Sequence, residues 1–222
     1  MTAPSAAPPA VPPATPPAAL SVPDAEPPSA GPDPSGIAID IEVESPLWAN
    51  AVPDIDLVLR RAIGAALAAE PPPALAPFPV PSPAGTPVAA ELSVLLTDDA
   101  TVAGLNQAWR GKPGPTNVLS FPGMEPADLA RPPAGSAHGA APPLLLGDIV
   151  LAAETCLREA AERGIPAADH VTHLAVHGVL HLLGHDHEDE ADADAMERLE
   201  VAILAGLDIA DPYAGDHAGV QA

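Results

Sequence analysis

Residues 167–183, "AADHVTHLAVHGVLHLL", constrain this chain more than any other stretch. Their spacing predicts a helix that Gly184 ends. His173, His177 and His181 recur every fourth residue, so they drift by only about 80° and share one helix face, which His170 joins. Val171, Leu174, Val176, Val179, Leu180, Leu182 and Leu183 occupy the rest of the surface. A helix that is apolar nearly all round belongs in a core. Several imidazoles are then carried into that core, and each needs a partner, because burying a polar group without one is costly.

A metal ion is one such partner. Two histidines at i and i+4 project in parallel and can grip one ion. The next turn of sequence reads "HGVLHLLGHDH" (177–187). After the chain reverses at Gly184, a third imidazole can return to the same ion. The pattern His-x3-His-x2-Gly-x2-His selects His177, His181 and His187, the ligand spacing of one large class of zinc hydrolases. His185 has less chain with which to swing round and reads as a supporting or surface residue. His173, one turn upstream, reads as a hydrogen-bond partner or core histidine. The simpler account, histidines with no metal, suits a lone residue better than this spacing. Three imidazoles suit Zn²⁺, although Ni, Cu and Fe bind such sets too.

A zinc protease of this pattern carries its general-base glutamate directly after the first histidine. Here that position is Gly178, which has no side chain to take a proton. The substrate groups must come from elsewhere. In "NQAWRGKPGPTNVLSFP" (106–122), Arg110 and Lys112 stand in a Gly/Pro-rich turn before a strand-like segment. A guanidinium fork fits phosphate oxygens better than a peptide carbonyl. A merely solvated arginine is the competing account. In "LLLGDIVL" (144–151), Asp148 interrupts an apolar strand. A buried carboxylate there needs a partner, either as a structural acceptor or as a catalytic base.

The remaining elements predict a fold. Strands are read at 36–44, 90–98, 116–122 and 144–151. Helices are read at 53–70, from the capping run that begins "TDDATVAGLNQAWR", at 152–163, at 167–183 and at 189–207. The order β-α-β-α-β-β-α-α-α predicts an α+β domain. It would have a small central sheet of about four strands packed with about five helices, and a zincin-like three-histidine site on a helix near the C-terminus. Residues 1–36 are nearly all Ala, Pro, Ser and Gly, and have too little apolar bulk to offset their chain entropy. They read as a disordered tail and not as a signal peptide, since prolines interrupt every apolar run. Residues 37–212 form the expected domain, with 213–222 as a flexible end. The connections 71–87 and 123–143 read as proline-rich and small-residue loops. Cys156 is the single cysteine, fits a reducing compartment, and reads as a small buried side chain. No apolar run is long enough to span a membrane.

The net charge of −22 counts against a polyanion partner, but the charge is uneven. Residues 186–216 hold eleven acids against Arg198. Residues 105–131 hold Arg110, Lys112 and Arg131 against Glu125 and Asp128.

Taken in order, "RGKPGPTNVLSFP", "LGDIVL" and "HGVLHLLGHDH" resemble the three signature segments of the YbeY family of bacterial endoribonucleases, across roughly residues 37–210. That resemblance implies a single-strand-specific, metal-dependent endoribonuclease. It implies action in 16S rRNA 3′-end maturation and ribosome quality control, on the small ribosomal subunit, in the cytoplasm. It also implies zinc ligands at His177, His181 and His187, and a functional arginine at Arg110. The tail, the long connections and the acidity depart from the family pattern without touching these motifs. Two other accounts remain open: an assembly factor with a structural metal, and a metal-dependent hydrolase of another bond.

Overall fold

The computed structural model describes residues 37–72, 90–130, 143–187 and 189–214. The proposed tail and the central parts of both long connections lie outside these. Four strands form one sheet in the order β1-β2-β4-β3. They are β1 (Ile37–Val43), β2 (Ala90–Thr97), β3 (Val118–Pro122) and β4 (Leu144–Ala152). β1, β2 and β4 run parallel, and β3 pairs antiparallel with β4 at the edge. Strand direction is not encoded in apolar periodicity, and the parallel pairs follow from the helical crossovers between their strands. Seven helices surround the sheet among the described residues: α1 (Leu47–Ala51), α2 (Ile55–Ala69), α3 (Asp99–Arg110), α4 (Pro126–Leu129), α5 (Ala153–Arg163), α6 (Ala167–Leu182) and α7 (Glu190–Ala205). Five match the expected helices. The extra two, α1 and α4, are single turns too short to show a helical period, and α4 replaces part of the expected loop 123–143.

One sheet face carries the main core. Leu92, Val94, Leu96, Leu146, Ile149 and Leu151 pack there with Leu59 and Ile63 of α2 and Val176, Val179 and Leu180 of α6. The other face is covered only in part. A smaller cluster of Val102, Leu119, Val150 and Ala152 seats α3, while Asp40, Glu91 and Ser93 meet solvent. This is why 36–44 alternates: β1 is buried on one side only.

Asp148 corrects an expectation. It is exposed, not buried. In β4, Leu145 pairs with Glu91 and Gly147 with Leu92, so Leu146 is an extra residue in the ladder. Gly147 holds φ 129°, and a Cβ there would lie 2.2 Å from the Phe121 carbonyl oxygen. Such a bulge reverses the in–out alternation beyond it. Counting from Leu144, Asp148 would point inward; with the bulge, Ile149 takes the core face and Asp148 the open one.

Candidate metal centre

α6 is the axis of the site. Eleven of its residues, from His170 to Leu182, are buried, which matches its apolar circumference. Gly178 is the residue that lets α6 approach the sheet. A Cβ on it would lie 3.1 Å from Ile149 Cδ1 and 3.2 Å from Ser120 Oγ. The position after the first histidine therefore faces β3 and β4 rather than the histidines, and it is filled by closeness of packing.

The end of α6 explains the return of the chain. Gly184 takes φ 91°. The His185 N–H donates to the Leu180 carbonyl (3.0 Å) and the Gly184 N–H to the His181 carbonyl (3.0 Å). These are the two bonds of a Schellman stop, which glycine at the left-handed position permits. The turn aims the His185 carbonyl back at His181, whose Nδ1 donates to it at 2.9 Å. It also brings His187 over the helix. The His187 ring stacks on His177 with centroids 5.7 Å apart and stands edge-on to His181 at 5.0 Å. One nitrogen from each of His177, His181 and His187 lies within 4.8 Å of the others. His185 itself is turned away, 4.0 Å from Glu70.

The protonation pattern shows what such a cluster fits. His177 Nδ1 donates to Glu200 Oε1 at 2.7 Å. His181 Nδ1 donates to a carbonyl, which can only accept. With each ring held from its Nδ1 side, the two Nε2 atoms are left to face each other, 3.0 Å apart. Such a pair is satisfied by one shared proton or by a metal ion bound to both nitrogens. Burial, followed by the neighbouring His177 charge, pushes His181 down to about 4, so it stays neutral near pH 7. Two nitrogens bound at 2.0–2.1 Å on a tetrahedral ion stand about 3.3 Å apart, close to the spacing found. The donor set thus fits a divalent metal held by imidazoles, with its outer partners already in place.

Glu200, on α7, went unnoticed in the sequence. It is fully buried, in a helix that is otherwise strongly acidic. Its carboxylate accepts from His177, from His173 Nε2 (3.1 Å) and from the Tyr213 hydroxyl. Burial alone would raise its pKa, but the hydrogen bonds from His173 and His177, the His177 charge and Tyr213 outweigh it and hold the group at about 2. His173 is therefore a partner of Glu200. Tyr213 is tied into the body, one residue past the expected domain end. The only sequence signal for Glu200 was an apolar environment around one of eleven nearby acids, "RLEVAIL".

His170, on the same helix face, donates from Nε2 to Glu159 Oε2 (2.9 Å), which also accepts from Asn117 Nδ2 (2.9 Å). Asn117 immediately precedes β3, so Glu159 of α5 ties His170 to the start of that edge strand. Arg110 ends α3, at the other end of the "RGKPGPTN" segment. The Arg110 and Lys112 side chains are exposed and have no hydrogen bond or ion pair among the described residues. Neither they nor Asp148 touch the triad. Cys156 is buried, as expected, and burial raises its thiol pKa well above the usual range.

A family model described as Endoribonuclease YbeY matches residues 81–208, which include all three signature segments. The Endoribonuclease YbeY of Paramagnetospirillum magneticum is 46% identical over 80% of this chain and 96% of its own. The chain belongs to the YbeY endoribonuclease family. Its similarity to the family's member from Parvibaculum lavamentivorans is 60% identity, over 59% of this chain and 69% of that protein. The Rhodospirillum rubrum member is 49% identical over 82% of each chain.

Proposed function

We propose that this protein is a zinc-dependent, single-strand-specific endoribonuclease. Its site is His177, His181 and His187, with Arg110 and Lys112 as phosphate-binding groups. The observation that carries the reading is the convergence of one nitrogen from each of His177, His181 and His187 within 4.8 Å, with the Nδ1 of His177 and of His181 held on the far side of its ring. A zinc ion held there supplies a Lewis-acid charge and acidifies a coordinated water.

The chain's own residues do the rest. Glu200 and the His185 carbonyl hold the two helix imidazoles in one tautomer and one orientation. Gly178 offers no base, which counts against amide hydrolysis by the protease route. Arg110 is free to pair with phosphate oxygens and to offset the charge that builds as the phosphodiester bond is attacked. Asp148, on the sheet face away from α6, is given no step.

In this reading the substrate is 16S rRNA on the small ribosomal subunit. The work is 3′-end maturation and ribosome quality control in the cytoplasm. The catalytic unit is residues 37–212 with Tyr213 docked on it, flanked by the tail 1–36. Support comes from the family membership, the three signature segments and the local relief of negative charge around Arg110.

The direct test is cleavage of single-stranded RNA by the parent protein and by His181→Ala, each with and without chelator, alongside metal analysis. The parent should cut, lose activity on chelation and regain it with zinc; the variant should lose both metal and cleavage. A folded, metal-free parent from zinc-replete medium, or chelator-resistant cleavage, overturns the reading.

A further inference from the structure

Trp109 is the only exposed Trp, Tyr or Phe among the described residues, at 44% relative exposure. An indole of this size is worth burying, and α3 has an apolar side on which it could have been placed. Instead it stands in the last turn of α3, edge-on to Phe121, with ring centroids 5.9 Å apart and planes at 65°. Phe121 braces it from the edge strand β3. Directly beside it come Arg110 and Lys112, both exposed and unpaired among the described residues, in a chain of net charge −22. Arg61, Arg163 and Arg198 are likewise without an ion pair among the described residues, so what sets Arg110 and Lys112 apart is their place beside an exposed indole.

We infer that Trp109, braced by Phe121 and flanked by Arg110 and Lys112, is a stacking subsite for a nucleobase of the single-stranded RNA substrate. The inference rests on the endoribonuclease reading and adds a residue for which neither motif nor metal accounts. An aromatic face beside cations is the general way proteins hold single strands, with the cations on the backbone and the ring on a base. The edge strand links this ring to the metal helix. Phe121 and Ser120 are consecutive on β3; Phe121 braces Trp109 on one sheet face, while Ser120 lies beneath Gly178 of the metal helix on the other. Such a subsite needs an unpaired base, so it would also select against duplex RNA.

Trp48 is fully buried, so Trp109 is the tryptophan a ligand can reach. The full-length protein is titrated with a short 2′-O-methyl oligouridylate and with an abasic ribose-phosphate oligomer of equal length. Tryptophan emission and the anisotropy of the labelled oligomer are both followed. The oligouridylate should quench emission and the abasic oligomer should not. Trp109→Leu, which keeps an apolar cover over Phe121, should weaken oligouridylate binding roughly 5- to 150-fold. Trp109→Phe should restore most of it, and abasic binding should be unchanged in both. Parent-like binding by a folded Trp109→Leu, or unquenched emission at saturation, overturns the stacking subsite alone. If the parent binds no single-stranded RNA, the endoribonuclease reading falls, and the subsite with it.

Discussion

Replacing Glu200 by Gln should weaken metal binding about tenfold without unfolding the protein. The carboxylate accepts from three side chains, His173, His177 and Tyr213. A glutamine keeps the shape, and its carbonyl can still accept from His177 Nδ1. Its amide hydrogens then meet two former donors. Both can adapt: the Tyr213 hydroxyl can turn to accept, and His173 can move its proton to Nδ1, which is buried without a partner here. What cannot be replaced is the negative charge behind His177. A hydrogen bond to a charged acceptor contributes about 1.5–3 kcal/mol, a neutral one about 0.5–1.5. The difference, about 1–1.5 kcal/mol, is close to one decade in affinity, at the lower end of what loss of an outer partner costs a metal site. The assay is competition for zinc against a chromophoric chelator, with thermal unfolding of the metal-free proteins as control. A folded Glu200→Gln that holds zinc as tightly as the parent would refute the claim that Glu200 tunes His177.

Three further outcomes follow from the same geometry. Arg110→Ala should weaken single-stranded RNA binding across sequences and lower the slope of log affinity against log salt by about one, with zinc content unchanged; an unaltered slope removes the phosphate role. Gly184→Ala places a Cβ 2.9 Å from Pro126 Cγ at φ 91°, and should cost about 2 kcal/mol in denaturant unfolding while reducing zinc retention through His187. Neutral stability or intact retention would show that this turn does not position the third histidine. The metal-free protein should lose stability as pH falls. His181, lowered from 6.5 to about 4, leaves the unfolded chain binding more protons across that interval, and Glu200, lowered from 4.5 to about 2, does the same further down. A urea midpoint that stays flat between pH 7 and 4 would contradict these environments.

The triad was legible in the sequence because its determinants are local. His177 and His181 sit at one helical spacing, and Gly184 marks the turn that brings His187 back. All of that lies within eleven residues. Glu200 and Tyr213 were not legible, because their part depends on α7 and the following turn packing over α6, and nothing local separates Glu200 from the acids around it. Asp148 was misread for a related reason. The strand itself was recognised, but a single bulge at Leu146 reversed the side on which its carboxylate stands. Periodicity assumes an unbroken ladder, and one extra residue defeats it.

Gly178 joins the two levels. From the sequence it marks the loss of a protease base. In the fold it is the contact at which the metal helix lies down on Ile149 and Ser120, the latter on the edge strand. A glutamate at this point would have to enter the main core against the sheet, so a protease-like base cannot be restored by that substitution without lifting α6 and disturbing the two imidazoles it carries. The absence of a base is thus a consequence of one packing contact, and it counts against a peptide as substrate.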